Sequence, residues 1–393
     1  MPTNTPREVG QRIAALRHAR RMTQADLARA AFVSLSMVRK IERGDRYPGD
    51  DTLDALAATL SVDPSRIVEG NTRTDSRVHA SIPAISAAIA SYDVPLEPPE
   101  RPLAELRSSV DAMVDWRLGA QYARIAKHAP TLLDDTLSAL HHTSGADRLA
   151  AARLLAATAR SADAVAYKYG YHDLSARLVE LMRWAAQQAE DPLVAASAAY
   201  VRTETFFAAR AHTAGLRALE VAIDASPSPD SRETTASRGA LHMRAAVIAG
   251  RAGDPDAAGT HLAEARQLGD ALPEDKYGGT AFGPDSVRAH EVSVAVSLGQ
   301  DHVQAALDVA KEWAPPNDLP AERQSGFWIE LARAQLWAGF ADDAFESLKV
   351  ARLIAPQHTR EHPWARETAA TLRRLKRSDA ETLTNFAEWI GAV

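Results

Sequence analysis

The chain has 393 residues, no cysteine, and 45 Lys and Arg against 51 Asp and Glu, a formal net charge of −6. That length exceeds one small core and calls for two or more domains or a solenoid, while the missing cysteine excludes disulfides and thiolate metal sites and fits a reducing compartment. No apolar run approaches the roughly 20 residues of a spanning helix, and residues 1 to 30 hold polar and basic residues where a secretory segment has an apolar core, so the expectation is a cytoplasmic protein with no membrane partner.

The charge is unevenly divided. Residues 1–70 hold 11 Lys and Arg against 9 Asp and Glu, a net of +2, which leaves −8 on the remainder. A locally basic face on an acidic body suits sequence-specific binding of nucleic acid better than indiscriminate coating, because the body repels phosphate.

In chain order, Val9, Ile13 and Leu16 recur at helical spacing and predict a first helix. Met22 to Arg43 then reads as two short helices joined by a tight turn. Thr23 is a hydroxyl cap, with Leu27, Ala28 and Ala31 forming one apolar face behind it. After Phe32 and Val33, a second cap, Ser34, opens a helix whose buried side is Val38 and Ile41. Its other side carries Leu35, Ser36, Arg39, Lys40 and Arg43, and so short a helix cannot bury both faces. A fourth helix follows Thr52 with Leu53, Leu56, Ala57 and Leu60, and Asp63-Pro64 caps a short fifth.

Residues 9 to 68 resemble the lambda-repressor-like helix-turn-helix domain of the xenobiotic-response-element family of bacterial and phage regulators. The matching residues are Thr23-Gln24, Leu27-Ala28, Val33-Ser34, Ser36, Val38, Ile41 to Gly44, Pro48, Leu53, Leu56-Ala57, Leu60 and Val62. The resemblance implies double-stranded DNA as partner, with Leu35, Ser36 and Lys40 at base edges and Gln24, Arg43 and Arg46 at phosphates. Ser34 and Arg39 belong to the same DNA-binding set, and Arg17 with Glu42 match an ion pair between the first and third helices. The chemistry agrees, since Lys40 can donate to guanine O6 and N7 and Leu35 can touch a thymine methyl. In one departure, the family usually has Gly where the second helix ends and the chain turns left-handed. Phe32 stands there instead, and a bulky residue at positive φ is strained.

Residues 71–102 change character. Asn71 to Arg77 is polar and reads as structureless, Pro83 to Ser91 has room for one or two amphipathic turns, and Pro95, Pro98, Pro99 and Pro102 favour an extended path. This reads as a Pro-rich linker with a short docking helix. From 103 to 393 the chain is rich in Ala and Leu, with helical periodicity and no convincing strand.

A repeat appears in this stretch. Its clearest copy is Trp328, Leu331, Ala332, Gly339, Ala344, Leu348, Ala351 and Pro356. Fainter copies hold Ala246, Gly253, Ala258, Leu262 and Ala265, and Phe206, Gly215, Leu219, Ala222 and Pro227. The anchors Ala222, Ala265 and Ala351 lie 43 and then 86 residues apart, longer than the usual repeat of about 34. The pattern resembles tetratricopeptide repeats, helix pairs that must stack because alone they cannot bury their faces. The expected fold is therefore all-α: a five-helix head over 1–70, then an α-solenoid of antiparallel helix pairs.

Head and tail together resemble bacterial one-component regulators, of the kind found in actinobacteria and in the peptide-sensing branch of Gram-positive bacteria. The resemblance implies a homodimer on a pseudo-palindromic operator, modulated through the tail by a small-molecule, peptide or protein effector. Arg202, Glu204, Phe207, Arg210, His242, Arg288 and Glu291 are the ligand-binding candidates on the expected inner helices. Peptide-clamping repeats commonly use Asn carboxamides, and the four Asn here (Asn4, Asn71, Asn317, Asn385) avoid the middle of those helices. Tyr167, Tyr169, Tyr171 and Phe206-Phe207 either line a groove or pack between repeats.

His141-His142, His172, His212, His242 and His261 lack acidic or Cys partners at ligand spacing, so neither metal nor cofactor is expected. No nucleophile elbow or phosphate loop is present, and Asp134-Asp135 and Asp342-Asp343 sit at helix starts, where capping explains them. An enzyme is not expected. The rival reading is a repeat-type protein-interaction adaptor whose head is not its main functional element.

Overall fold

The computed structural model describes residues 5–20, 22–60, 62, 64, 67, 75–94, 97–375 and 380–392. It divides into two compact units, Met1–Ala80 and Ser81–Val393.

The first unit holds α1 (Pro6–Ala19), α2 (Gln24–Ala30), α3 (Leu35–Arg43) and α4 (Asp50–Thr59). Capping sets the boundaries of its central pair. The Thr23 hydroxyl accepts from the Asp26 amide at 3.1 Å, and the Thr23 amide donates back to Asp26 Oδ2 at 3.0 Å, a complete capping box. Ser34 Oγ accepts from the Met37 amide at 3.1 Å and opens α3. Gly44, in left-handed conformation at φ 81°, ends it. Val9, Ile13, Leu27, Val38, Ile41, Leu53 and Leu56 form one buried cluster among these helices. The expected fifth helix lies largely outside the described residues; of it, Pro64 and Ile67 are helical and buried.

Next comes α5 (Asp75–Ala90), which is longer than the one or two turns expected and contains Pro83. Residues 75–77, read from sequence as an irregular polar stretch, are helical. Burial explains the extension: Val78, Ile85, Ala88 and Ile89 are all buried, and packing outweighs the missing Pro83 amide.

Within the second unit, residues 81–94 and 97–102 pack onto the helical repeats. Ser86 Oγ accepts from Arg177 at 2.9 Å, Tyr92 meets Trp184 edge-on at 5.2 Å, and the Glu97 carbonyl accepts from Ser138. The helices that follow are α6 (Leu103–Leu118), α7 (Tyr122–His142), α8 (Gly145–Lys168), α9 (His172–Ala189), α10 (Pro192–Ala209) and α11 (His212–Ala225). Then come α12 (Arg232–Ala252), α13 (Pro255–Asp270), α14 (Pro284–Leu298), α15 (Val303–Glu312), α16 (Ala321–Trp337) and α17 (Ala341–Ile354). The unit ends with α18 (Pro356–Glu361), α19 (Pro363–Leu375) and α20 (Ala380–Ile390).

Each helix packs on its sequence neighbours, and α8, α10, α12, α14 and α16 additionally form a row in which each touches the next. Small residues permit that approach. A Cβ added at Gly250 of α12 would lie 3.3 Å from the Val294 carbonyl oxygen of α14, and Ala240, Ala245, Ala246 and Ala249 of α12 are buried. The inner row curls until α16 meets α6. Across that closure Tyr122 OH donates to Glu322 Oε1 at 3.3 Å, and the Ala123 amide donates to Gln357 Oε1 at 2.9 Å.

Strands expected to be absent do occur, as one antiparallel hairpin of β1 (Asp275–Tyr277) and β2 (Thr280–Phe282). Three-residue strands are too short to write an alternating pattern in the sequence. Gly278 and Gly279 turn it with φ of 53° and 76°, the positive pair that a two-residue hairpin turn demands. Phe282 is fully buried against Gly239 of α12, where a Cβ would fall 2.0 Å from the ring.

Candidate functional site

In the first unit, α3 is held from behind and left open in front. Val38 and Ile41 are fully buried, while Ser36, Arg39, Lys40 and Arg43 are exposed. Spacing of three and four residues puts these four on one stripe of the helix. Arg46, just beyond, is also exposed, and Arg43 lies 3.0 Å from Asp45 in a solvent-screened pair. Leu35 is half-buried and packs against the core, so one side of it is turned inward. The Ser34 hydroxyl is spent on capping yet remains exposed, with its own hydrogen still to donate.

Arg17 joins α1 to α3. Its Nε and Nη2 donate to the two Glu42 oxygens at 2.7 and 2.9 Å, and its Nη1 donates to the Met22 carbonyl at 2.9 Å. Gln24 completes the group by donating from Nε2 to Glu42 Oε2 at 2.7 Å. One N–H of the Gln24 carboxamide is thereby committed to the ion pair, and its second N–H remains to donate elsewhere. Burial alone would push the Glu42 carboxyl up, but the Arg17 and Gln24 hydrogen bonds and the Arg17 charge hold it below the usual range. The turn between α2 and α3 places Phe32 at φ 54° with its ring 97% exposed.

In the second unit, the closed row of helices surrounds a cavity of about 210 Å³. Two of the sequence candidates, Glu204 and Phe207, line it. Arg202 lies with its guanidinium 5.2 Å from the Phe206 ring, and Arg210 is exposed at the end of α10. His242 is buried with its Nδ1 3.0 Å from that of His261. Glu291 pairs with Arg266 at 2.6 Å and Arg288 at 3.4 Å. None of these five lines the cavity. Of the aromatics, Tyr167 faces it with Phe207, whereas Tyr169 packs edge-on to Tyr122 at 6.4 Å. Among the described residues no three His, Asp or Glu cluster as a metal site, and no helix is long and apolar enough to cross a membrane.

The family model described as "Helix-turn-helix domain" matches residues 8–69. Those residues are a helix-turn-helix domain. Over 61 residues the chain is 49% identical to the immunity repressor protein of Bacillus phage phi105, a stretch that covers 15% of this chain and 42% of that protein. Two solved structures are also similar. One is PlcR of Bacillus thuringiensis in complex with the peptide PapR7 and DNA, 15% identical over 68% of this chain and 95% of that one, with a TM-score of 0.30. The other is the apo form of the competence regulator ComR from Streptococcus vestibularis, 12% identical over 95% of this chain and 99% of that one, with a TM-score of 0.32.

Two groups of residues escaped the sequence reading. Gly10 is where α1 of the helix-turn-helix domain crosses α3: a Cβ there would fall 2.1 Å from the Ile41 carbonyl oxygen. The second group is the cationic lining of the cavity. Arg117 and Arg160 are buried although charged, and the sequence neighbours of Arg160, Ala159 and Ser161, are buried too. An Arg embedded among buried small residues was the available signal, because such a charge is rarely buried without a purpose.

Proposed function

We propose that the chain is a sequence-specific DNA-binding transcription regulator that acts as a homodimer, with its repeat tail modulating the DNA head. The observation that carries this is the open stripe of Ser36, Arg39, Lys40 and Arg43 on a helix whose opposite side is locked by Val38, Ile41 and the Arg17–Glu42 pair. A short rigid helix presenting cations and a hydroxyl from one face fits a major groove. Kinship of this segment with a phage repressor supports the reading. Lys40, Ser36 and Leu35 read base edges; Gln24, Ser34, Arg39, Arg43 and Arg46 hold the backbone.

In this reading residues 1–70 are the DNA head, 71–102 the connector, and 103–393 the sensing and dimerising tail of a cytoplasmic, non-catalytic regulator. Two copies place their α3 helices in successive major grooves, about 34 Å apart, on a pseudo-palindromic operator.

Fluorescence anisotropy of the full chain tests the proposal, with duplexes from its own upstream region and with shuffled sequence at two salt concentrations. A specific site should bind roughly 10³-fold or more tighter than the shuffled duplex. Equal affinity for both duplexes refutes it, and would favour a protein-interaction adaptor. Sedimentation with and without the duplex reads the stoichiometry, expected at two chains per site.

A further inference from the structure

The cavity carries more positive than negative charge. Arg117, Arg160, Lys168, Arg244, Arg251 and Arg323 face it, against the carboxylates Asp163, Glu204, Glu322 and Glu330. Two cation–carboxylate pairs join these groups: Lys168 with Glu322 at 3.4 Å and Arg244 with Glu204 at 3.7 Å. Among the described residues Arg117, Arg160, Arg251 and Arg323 have no carboxylate at ion-pair distance. The negative side is weaker still than its count. Burial and the Glu204 charge push Asp163 well above the usual carboxylate range, and burial raises Glu330 to about 7.

What the guanidiniums hold instead are neutral groups: Ser197 Oγ at 3.0 Å from Arg160, the His290 ring nitrogens at 2.9 and 3.2 Å from Arg323, and oxygens of the β1–β2 hairpin. Arg160 donates to Thr280 Oγ1 at 2.8 Å and to the Gly278 carbonyl at 3.4 Å, Arg117 donates to the Gly279 carbonyl, and Arg323 to that of Ala281 at 3.5 Å. Buried guanidiniums ordinarily take carboxylate or phosphate, and a peptide carbonyl offers only a dipole. Further donors are unused: Arg117, Arg244 and Arg251 each keep a buried Nε–H with no acceptor. Stacking fixes the planes of two of them. The Arg244 guanidinium lies 4.2 Å from the Tyr200 ring, and that of Arg251 lies 4.2 Å from Phe207 and 4.9 Å from Trp364. Donors that are charged, oriented and incompletely used describe a site built for an anion.

We propose that this cavity binds a small, multiply charged anion, a di- or tricarboxylate or a phosphate compound, between Arg117, Arg160, Arg244 and Arg251. The hairpin oxygens now accepting from Arg117 and Arg160 are the atoms such an anion replaces. The cavity, about 210 Å³, has room for a small metabolite. The proposal deepens the reading of the tail as a sensor and names the chemistry it senses.

Calorimetric titration of the full chain, without DNA and at constant ionic strength, tests it with citrate and with pyrophosphate as probes. One saturable site per chain is expected for at least one probe, and which of them binds separates a carboxylate from a phosphate source. Arg244→Gln should weaken binding about tenfold or more, the loss of a charge-assisted contact. At pH 8, above the Glu330 value of about 7, Glu330→Gln removes a competing negative charge and should tighten binding, a gain that a misfolded chain cannot produce. Absence of saturable binding by both probes, or equal affinities in parent, Arg244→Gln and Glu330→Gln, overturns the proposal. Operator binding, measured on the same preparations, separates the two ideas: intact DNA binding without anion binding removes the anion site alone, and anion binding without DNA binding removes the regulator.

Discussion

Arg17 and Glu42 meet through both carboxylate oxygens, at 2.7 and 2.9 Å, with their side chains only 8% and 6% exposed. The contact ties the last turn of α1 to the last turn of α3, so α3 inherits the orientation of the scaffold. Removing Arg17 leaves Glu42 buried with Gln24 as its remaining hydrogen-bond donor. Arg17→Ala should therefore destabilise the head by about 3 kcal/mol, whereas a paired change to Met and Leu should cost less than either single Ala change. Thermal unfolding of the four chains reads both the size and the ordering.

Gly10 sets how closely α1 approaches α3. With a Cβ falling 2.1 Å from the Ile41 carbonyl oxygen and 2.9 Å from that of Glu42, neither neighbour can yield without moving backbone. Gly10→Ala should lower stability by about 1–3 kcal/mol, the usual range for overpacking, despite alanine's better helix propensity. A stabilised variant in thermal melts would show that the two helices do not pack this way.

Phe32 occupies a left-handed position at φ 54° with a ring that is 97% exposed, so it pays conformational strain and gains little burial. Phe32→Gly should raise stability by about 0.5–1 kcal/mol. β-Branched Phe32→Val should lower it. Denaturant melts of the three chains give the order directly.

Lys40 and Arg43 should separate cleanly in DNA binding. Lys40→Ala is expected to cost about 1–3 kcal/mol on the specific duplex and little on a shuffled one, which flattens the preference. Arg43→Ala should weaken both duplexes alike and reduce the salt slope by about 1. Anisotropy titrations across salt concentrations distinguish the patterns, and interchangeable behaviour would contradict the assigned roles.

His242 gives a pH dependence. Burial, the neighbouring His261 and Arg238 depress it from 6.5 to about 4. Between those values the unfolded chain binds a proton there that the folded chain refuses, so stability is complete above pH 6.5 and falls as pH drops towards 4. Replacing it by Gln should flatten that part of the profile by about 1–2 kcal/mol. Chemical denaturation of both chains at pH 7, 6, 5 and 4 tests the sign.

The sequence by itself determined most of what depends on helical spacing and capping. Caps at Thr23 and Ser34, the apolar positions from Val9 to Leu60, and the helical period of the tail were legible because helix boundaries and buried faces are written within a few residues. The stripe from Ser36 to Arg43 was legible for the same reason, since one helix cannot bury both sides. Tertiary structure alone decided how α1 crosses α3 at Gly10, where Gln24 turns its amide, and that the inner row curls until α16 meets α6. That curl brings Arg117, Arg160, Arg244 and Arg323 from four separate helices onto one cavity. Small angular increments between successive helices accumulate over the whole tail, and no single segment of sequence encodes their sum.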